Sequence, residues 1–571
     1  MKPNKRIFGL VLSVLLVIGV SSTAFAGGQA FVPAAGEDLS HLPRVYLSGG
    51  WHSLWEDEDW GDWLANPGSS APYNRFNEAE PFAPEKMDAV CSAIFSLNMA
   101  ALGQNLAALF TEGYAQCAMD KTGRSVNPNI TSDYMFLRDL DLPGSMGLPE
   151  GSGVPVSEHL TLYKNQCMFF MDWRLDPWNL AENVHGFLKA IVEDPSNDFD
   201  RVNLVGVSGS GPVLLSYLAR YGTQYLASAV FDMSMHNGST LFGGIATGNF
   251  GLDASALANT KMYSWGKTDL IKKFALPIAV LYRSGLLDAT LKAFNFAAKG
   301  AYAKTYEEGL VPYWFYMPFY LCLIPQSQYK QAKQFLFKRN PNGEFDELIA
   351  VADRYHSQVM SKQDEIIRKA ASKIKLGVRV GYGLPLSPYA KGTNVQSDEL
   401  VDTVYASMGA TTAPPGMPFS PLYRQKEHSA NNYISPDRYV DASTCLLPDQ
   451  TWFAEGFYHY PEWNYELPDG ARWLDWFIAA ENYTVWDDDR FPQYSKWSRE
   501  TETDGDGNAI ETKNYFAPFA KTSPSMCHNV LDGLKSSLLC LLRIWRWLFM
   551  PENAGGFFQM LLKGHRDLFI C

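Results

Sequence analysis

Val202-Asn203-Leu204-Val205-Gly206-Val207-Ser208-Gly209-Ser210-Gly211-Pro212 passes from an apolar, β-branched run into a turn of small residues. Val202 to Val207 reads as a buried strand, and Pro212 to Arg220 as a helix. A reactive serine on the tight turn between such elements needs small residues two before and two after it, because larger ones collide there. Gly206 and Ser210 meet that need around Ser208. The strict Gly-x-Ser-x-Gly form is missing, since Ser210 replaces the second glycine. Moving the register to Ser210 would put Pro212 at the second small position, so Ser208 is preferred. The same run also suits a flexible loop or a phosphate-binding turn, but the lysine of a P-loop is absent.

Outward from this turn the pattern repeats. Upstream, Cys167 to Met171 reads as a short strand ending in Asp172-Trp173-Arg174, followed by a helix from about Leu180 to Glu193 and a turn at Asp198 to Asp200. Downstream, Leu226 to Met233 reads as the next strand. Strand, helix, strand, helix with short links predicts an α/β fold with a mostly parallel central sheet and helices on both faces. An earlier strand, Arg44 to Leu47, runs into Ser48-Gly49-Gly50, and apolar residues at helical spacing predict helices from about Pro84 to Gln116. Between about Gly243 and Ile374 no strand alternation occurs. That stretch reads as a helical insertion over the sheet, and it holds the aromatic run Tyr313, Trp314, Phe315, Tyr316, Phe319 and Tyr320. Leu376 to Val380 and Thr451 to Ala454 resume strand character.

The expected organisation is a leader at 1–26, a first core part at 40–242, the insertion at 243–374, a second core part at 375–481, and a C-terminal extension at 482–571. The leader has Lys2, Lys5 and Arg6, an apolar run Ile7 to Val20, and small residues Ala24 and Ala26 at a cleavage site, the pattern of a secretory signal peptide. It predicts a secreted or periplasmic protein. Fourteen apolar residues fall short of the ~20 that span a bilayer. In the extension, Asp487-Asp488-Asp489 and Asp504-Gly505-Asp506-Gly507-Asn508 read as an exposed hairpin or linker rather than a calcium loop. Val530 to Met550 is an apolar helix with its four charges on one arc, suited to core packing or to a lipid interface.

Composition narrows the partners. The chain carries 48 basic and 61 acidic residues, a net charge of −13; without the leader's three basic residues it is near −16. An acidic surface repels phosphate backbones, so nucleic acid is not an expected partner. The eight cysteines form no Cys-x-x-Cys pair and no zinc spacing. Cys91 with Cys117 is the favoured disulfide outside the cytoplasm. Neither a metal nor an organic cofactor is expected.

A serine hydroxyl attacks well only when a histidine takes its proton and a carboxylate orients that histidine. His236, His356, His428, His459, His528 and His565 follow Ser208. His459 is preferred, since it follows the Thr451 strand and the Glu455-Gly456 turn; His236 is expected near the pocket wall. Two aspartates compete as the acid. Asp437, 22 residues before His459, is favoured on spacing, and Asp398 is second; each precedes a Val-containing turn. Backbone N–H donors for a developing oxyanion are expected at Gly209 and, after the first strand, at Gly50 in the Gly49-Gly50-Trp51 loop.

Phe170-Met171-Asp172-Trp173-Arg174-Leu175, some 30 residues before the Ser208 turn, resembles the lecithin–cholesterol acyltransferase-like lipases and phospholipases. So does Val380-Gly381-Tyr382-Gly383-Leu384-Pro385-Leu386-Ser387-Pro388-Tyr389, which is similar to the family's aromatic-Gly-x-Gly-x-Pro stretch. Val45 to Leu54 resembles its oxyanion loop, with Ser48 where proline is usual. The likeness covers roughly residues 42–460 with large gaps. It implies an α/β-hydrolase core with a large helical lid, a Ser-Asp-His triad and acyl-ester substrates, which supports Ser208 and His459 and leaves the acid open. The expected activity is hydrolysis of carboxylic esters of lipid-like substrates through an acyl-serine intermediate, with peripheral contact to a lipid surface left open. An inactive hydrolase-fold binding protein, a secreted acyltransferase and a secreted peptidase are the alternatives.

Overall fold

The computed structural model describes residues 33–47, 55–56, 84–127, 130–131, 166–259, 281–427, 430–457, 459, 472–503 and 509–519, apart from 170, 194, 196–198, 339 and 341. The expected leader, the Gly49-Gly50-Trp51 loop, the Asp504–Asn508 turn and the Val530–Met550 helix lie outside these residues.

Eight strands form the main sheet: β1 (Arg44–Leu47), β2 (Gln166–Phe169), β3 (Val202–Val207), β4 (Leu226–Asp232), β5 (Lys375–Tyr382), β6 (Thr451–Glu455), β7 (Tyr494–Thr503) and β8 (Ala509–Pro518). Their spatial order is β8-β7-β6-β5-β4-β3-β1-β2. The first seven in sequence run parallel, and β8 closes the edge as the antiparallel partner of β7. The chain is therefore an α/β protein built on a mostly parallel sheet. Because parallel strands share one direction, every loop leaving a carboxyl end reaches the same rim, and the order reverses between β1 and β3.

The strands expected from the sequence are present within a residue or two. Helix α3 (Pro177–Val192) starts three residues earlier than the apolar periodicity suggests. Asp176 accepts a hydrogen bond from the Trp178 N–H, and Pro177 occupies the first turn, where its missing N–H is harmless. Upstream lie α1 (Pro84–Phe95) and α2 (Met99–Tyr114). Helix α4 (Gly211–Tyr221) follows β3 through a single 3-10 turn at Ser208–Ser210. Helix α5 (Thr240–Ala246) opens a region whose regular elements among the described residues up to Ala371 are all helical, and α6 (Trp473–Ala479) precedes β7.

The hairpin expected to be exposed instead extends the sheet. β7 pairs in parallel with β6 from Phe453–Glu455, so the core continues past residue 482 to Pro518. The turn residues at 504–508 were readable, but the Tyr494–Thr503 strand mixes charged and aromatic residues as an edge strand does and carries no clear alternation.

Alternate side chains feed two apolar layers. Val45, Leu47, Leu204, Phe231, Val378 and Phe453 face the layer that holds α3 and α4, together with the helical region after β4. Tyr46, Val205, Val207, Val230 and Trp452 face the second, which α6 covers with Trp473 and Phe477. The aromatic run in the helical region is inward packing. Trp314, Phe315, Phe319 and Tyr320 are buried, and Trp314 meets Phe110, Tyr114, Phe242 and Tyr320 with ring centroids 4.9–6.1 Å apart. Cys91 and Cys117 are both free thiols, and Cys117 donates to the Tyr114 carbonyl. The expected disulfide does not form, and Cys117 is buried beside Arg174 in the core.

At the amino end of β5, the buried Lys375 ammonium lies 2.5 Å from the Glu37 and Ala480 carbonyls and 2.9 Å from that of Ile478, with Phe477 at 3.3 Å. It thereby caps the carboxyl end of α6, where a cation also complements the helix dipole. Lys375→Met keeps the apolar stem but strands these carbonyls. A loss of about 3 kcal/mol in urea-unfolding stability is expected; an unchanged midpoint would contradict the assignment.

Candidate active site

Ser208 sits where β3 hands over to α4, with a left-handed backbone at φ 53°. That conformation is costly for a side chain bearing a Cβ, and it lifts the hydroxyl clear of the sheet. The turn is tight enough that a Cβ on Gly206 would lie 2.9 Å from the Leu214 side chain of α4. Ser210, which stands where the strict motif has glycine, is buried and donates its hydroxyl to the Val207 carbonyl at 2.7 Å. Its side chain folds back onto the turn, so a serine is tolerated there. Met235 N–H donates to the Ser208 carbonyl at 3.0 Å and braces the turn from the far side of β4.

The Ser208 hydroxyl lies 2.6 Å from His459 Nε2. Residue 459 follows β6, as the sequence predicts. Its other ring nitrogen, Nδ1, lies 2.8 Å from a carboxylate oxygen, and that carboxylate belongs to Asp398, not Asp437. A carboxylate only accepts, so Nδ1 carries the proton and Nε2 is left with a lone pair facing the serine hydroxyl. The side chain of Asp398 is 1% exposed and that of His459 14%. The other carboxylate oxygen accepts from the Leu400 and Val401 N–H groups at 3.1 and 2.8 Å. The His459 N–H also donates to the Asp398 carbonyl at 2.8 Å, which joins the two loops through backbone as well as side chain. Close approach is possible because β5 has glycine at 381: a Cβ there would lie 2.6 Å from the Asp398 Cβ and 2.9 Å from the Phe457 carbonyl.

Asp437, favoured on spacing, is placed elsewhere. Its carboxylate accepts from the Ser435 hydroxyl at 2.6 Å and from the Tyr439 N–H at 3.4 Å, and burial raises its pKa. The two segments fold alike, which is why they look alike in sequence. Each aspartate accepts from the N–H two residues on, and each is followed by a left-handed residue, Glu399 at φ 80° and Arg438 at φ 65°. What separates them is chain order: Asp398 lies on the loop leaving the carboxyl end of β5, whereas Asp437 lies on the return leg into β6.

Of the other expected positions, Gly209 is buried next to Ser208 at the start of the turn, and Gly50 lies outside the described residues. His236 is fully buried with Nδ1 3.0 Å from the Ser234 hydroxyl, and burial pulls its pKa down to about 3, so it stays neutral. It stands outside the hydrogen-bonded chain from Ser208 to Asp398, with its ring against Phe231, 4.9 Å between ring centroids. His356 is buried in the helix Asp346–Gln358, stacked on Tyr329. Among the described residues no group of His, Cys, Asp and Glu is arranged to hold a metal ion, and no helix is long and apolar enough to cross a membrane.

The residues the sequence did not single out are Asp402, Thr240 and Ser239, which surround the Asp398 turn. No short motif marks them, because their relation is purely spatial.

No family model matches the chain, and no curated protein or solved structure is significantly similar to it.

The shared proton on His459 Nδ1 is observable without assuming any activity. Wild-type protein should show a strongly downfield imidazole N–H resonance in water. Asp398→Asn should remove it, and Asp437→Asn should leave it in place. Loss in the second variant alone would mean that the wrong aspartate has been paired with His459.

Proposed function

We propose that the chain is a serine hydrolase of the α/β-hydrolase fold that cleaves carboxylic ester bonds of lipid-like substrates through an acyl-serine intermediate. The observation that carries this reading is the continuous chain from the Ser208 hydroxyl through His459 to Asp398, at 2.6 and 2.8 Å, on a left-handed serine at the rim of a parallel sheet. The strand order supports it as well. The nucleophile follows β3, the acid β5 and the histidine β6, and the serine-acid-histidine order is that of α/β-hydrolases. On this reading the helical region between β4 and β5 is the lid. The leader, if cleaved after Ala26, delivers the enzyme outside the cytoplasm.

In the proposed reaction the Ser208 oxygen attacks the ester carbonyl carbon while His459 Nε2 takes the hydroxyl proton. Asp398 holds the imidazole in the receptive tautomer and offsets the charge of the imidazolium. The tetrahedral oxyanion is held by backbone N–H groups, Gly209 supplying one and the loop after β1 the other. Collapse breaks the bond to the alcohol oxygen, which leaves with the proton from His459. Water then attacks the acyl-serine by the same route, releases the acid and restores Ser208.

The substrate class rests on the likeness of Phe170–Leu175 and Val380–Tyr389 to the lecithin–cholesterol acyltransferase-like lipases. The aromatic run over 313–320 adds less to it than its composition suggests, because four of its six rings are buried and three of them, Trp314, Phe319 and Tyr320, pack together.

An activity-based fluorophosphonate probe should label the wild type and leave Ser208→Ala unlabelled. Equal labelling of the two, or no labelling of the wild type, would overturn the reading. Turnover of p-nitrophenyl esters should rise with acyl length and exceed that of peptide anilides; the reverse preference would make the protein a peptidase. Asp398→Asn should lower kcat by roughly 10⁴-fold, as expected when the histidine is held in the wrong tautomer, while Asp437→Asn should stay near wild type.

A further inference from the structure

The acid turn is held from two sides. Asp402, four residues after Asp398, is 1% exposed, and its two carboxylate oxygens accept from the Thr240 N–H at 2.8 Å and the Thr240 hydroxyl at 2.5 Å. Thr240 is the first residue of α5, so the carboxylate satisfies one of the unpaired N–H groups of that helix and meets the positive end of its dipole. The N-cap residue Ser239 accepts from the Leu241 N–H and donates its hydroxyl to the Leu400 carbonyl at 2.8 Å. Leu400 in turn donates its N–H to the Asp398 carboxylate. Thr403, next to Asp402, fixes the same loop to β5 by donating its hydroxyl to the Gly381 carbonyl at 2.9 Å. Upstream of α5, the Met235 N–H bonds the Ser208 carbonyl. The short segment 233–240 is thus tied at one end to the nucleophile turn and at the other to the acid turn.

We propose that Asp402 is a positioning residue: by anchoring the acid turn to the amino end of α5, it sets where Asp398 presents its carboxylate to His459 relative to Ser208. The proposal rests on the hydrolase reading above. Asp402 touches no reacting atom. Its place is structural in contact and catalytic in effect, because the segment it grips is the one bonded to Ser208. An aspartate kept in a fully buried position, where burial pushes its carboxyl up to about 6, is a costly way to cap a seven-residue helix unless the position of the cap matters.

The test uses the full chain, with Asp402→Ala, Asp402→Asn, Thr240→Val and the double variant Asp402→Ala/Thr240→Val, each checked for cooperative thermal unfolding. For a p-nitrophenyl ester, Asp402→Ala should lose roughly 10- to 100-fold in kcat, the range seen when a remote change misplaces a reacting group, with KM nearly unchanged. Asp402→Asn retains one acceptor oxygen and should recover part of that loss. Thr240→Val keeps the N–H and removes only the hydroxyl, so it should show a smaller loss and tests the proposal even if Asp402→Ala does not fold. The double variant should be no worse than Asp402→Ala alone, since both changes break one contact. The downfield His459 N–H resonance should also move in Asp402→Ala and not in Asp437→Asn. Folded Asp402 variants with wild-type kcat and an unmoved resonance would overturn the proposal while leaving the hydrolase reading intact. A wild type that neither labels nor turns over esters would overturn the hydrolase reading instead, and the proposal with it.

Discussion

The contact between the Ser208 hydroxyl and His459 Nε2 joins residues 251 positions apart, and a parallel sheet is what makes it attainable. β3, β5 and β6 run in the same direction, so the loops that leave their carboxyl ends all reach one rim. In the order β3-β4-β5-β6, β5 and β6 are adjacent, β3 and β5 are next-but-one, and β3 and β6 are three strand spacings apart. Neighbouring strands lie about 4.8 Å apart, so a serine after β3 and a histidine after β6 must be bridged by loops reaching over roughly 14 Å of sheet. The loops converge because each is tethered: the His459 backbone to the Asp398 carbonyl, the Asp398 carboxylate to Leu400 and Val401, and the Ser208 carbonyl to Met235.

Convergence brings local strain with it. Ser208, Glu399 and Met233 all take left-handed backbones without being glycine, each beside one of these tethers. Such conformations cost of order 1–3 kcal/mol each and persist only where the surroundings over-determine them. Here they do. Ser208 and Met233 directly follow the buried strands β3 and β4, Glu399 lies inside the hydrogen-bonded turn of Asp398, and Gly206 and Gly381 provide room where a side chain would collide. The close packing of the second-face layer under α6, including the Lys375 cap, keeps β5 and β6 in register below the rim.

The sheet was legible wherever a strand is buried on both faces, because such strands are uniform apolar runs: β3 and β4 have every residue buried and were read within one position. The edge was not legible. β7 and β8 combine charged and aromatic residues, and only the pairing of β7 with β6 and of β8 with β7 shows that they belong to the sheet. At the site, Ser208 and His459 were legible from local context, strand before and turn after. The acid was not, since the sequence encodes a turn type and not a place. Asp398-Glu399-Leu400-Val401 and Asp437-Arg438-Tyr439-Val440 build nearly the same turn, and His459 meets the one on the loop that leaves β5, the strand next to β6. Spacing along the chain favoured Asp437 because the return loop between β5 and β6 is long, and length along a loop says little about distance across a rim.

The placement of the long helical region follows from the same geometry. It leaves the carboxyl end of β4 and returns to the amino end of β5, two parallel hydrogen-bonded neighbours, so its ends are fixed at opposite rims of the sheet whatever lies between them. Closing a longer loop between fixed points adds only about 0.6 kcal/mol for each doubling of its length, so a large insertion there leaves the sheet intact. The helices then recover that small entropy many times over by burying Trp314, Phe315, Phe319 and Tyr320 against α2 and α5. An insertion at β3 to β4 would have disturbed the helix that follows Ser208, and one at β6 to β7 would have displaced the loop that carries His459. Between β4 and β5, among the described residues, it meets the acid turn where α5 begins, through Asp402, Ser239 and Thr240, and just upstream the Met235 N–H reaches the Ser208 carbonyl.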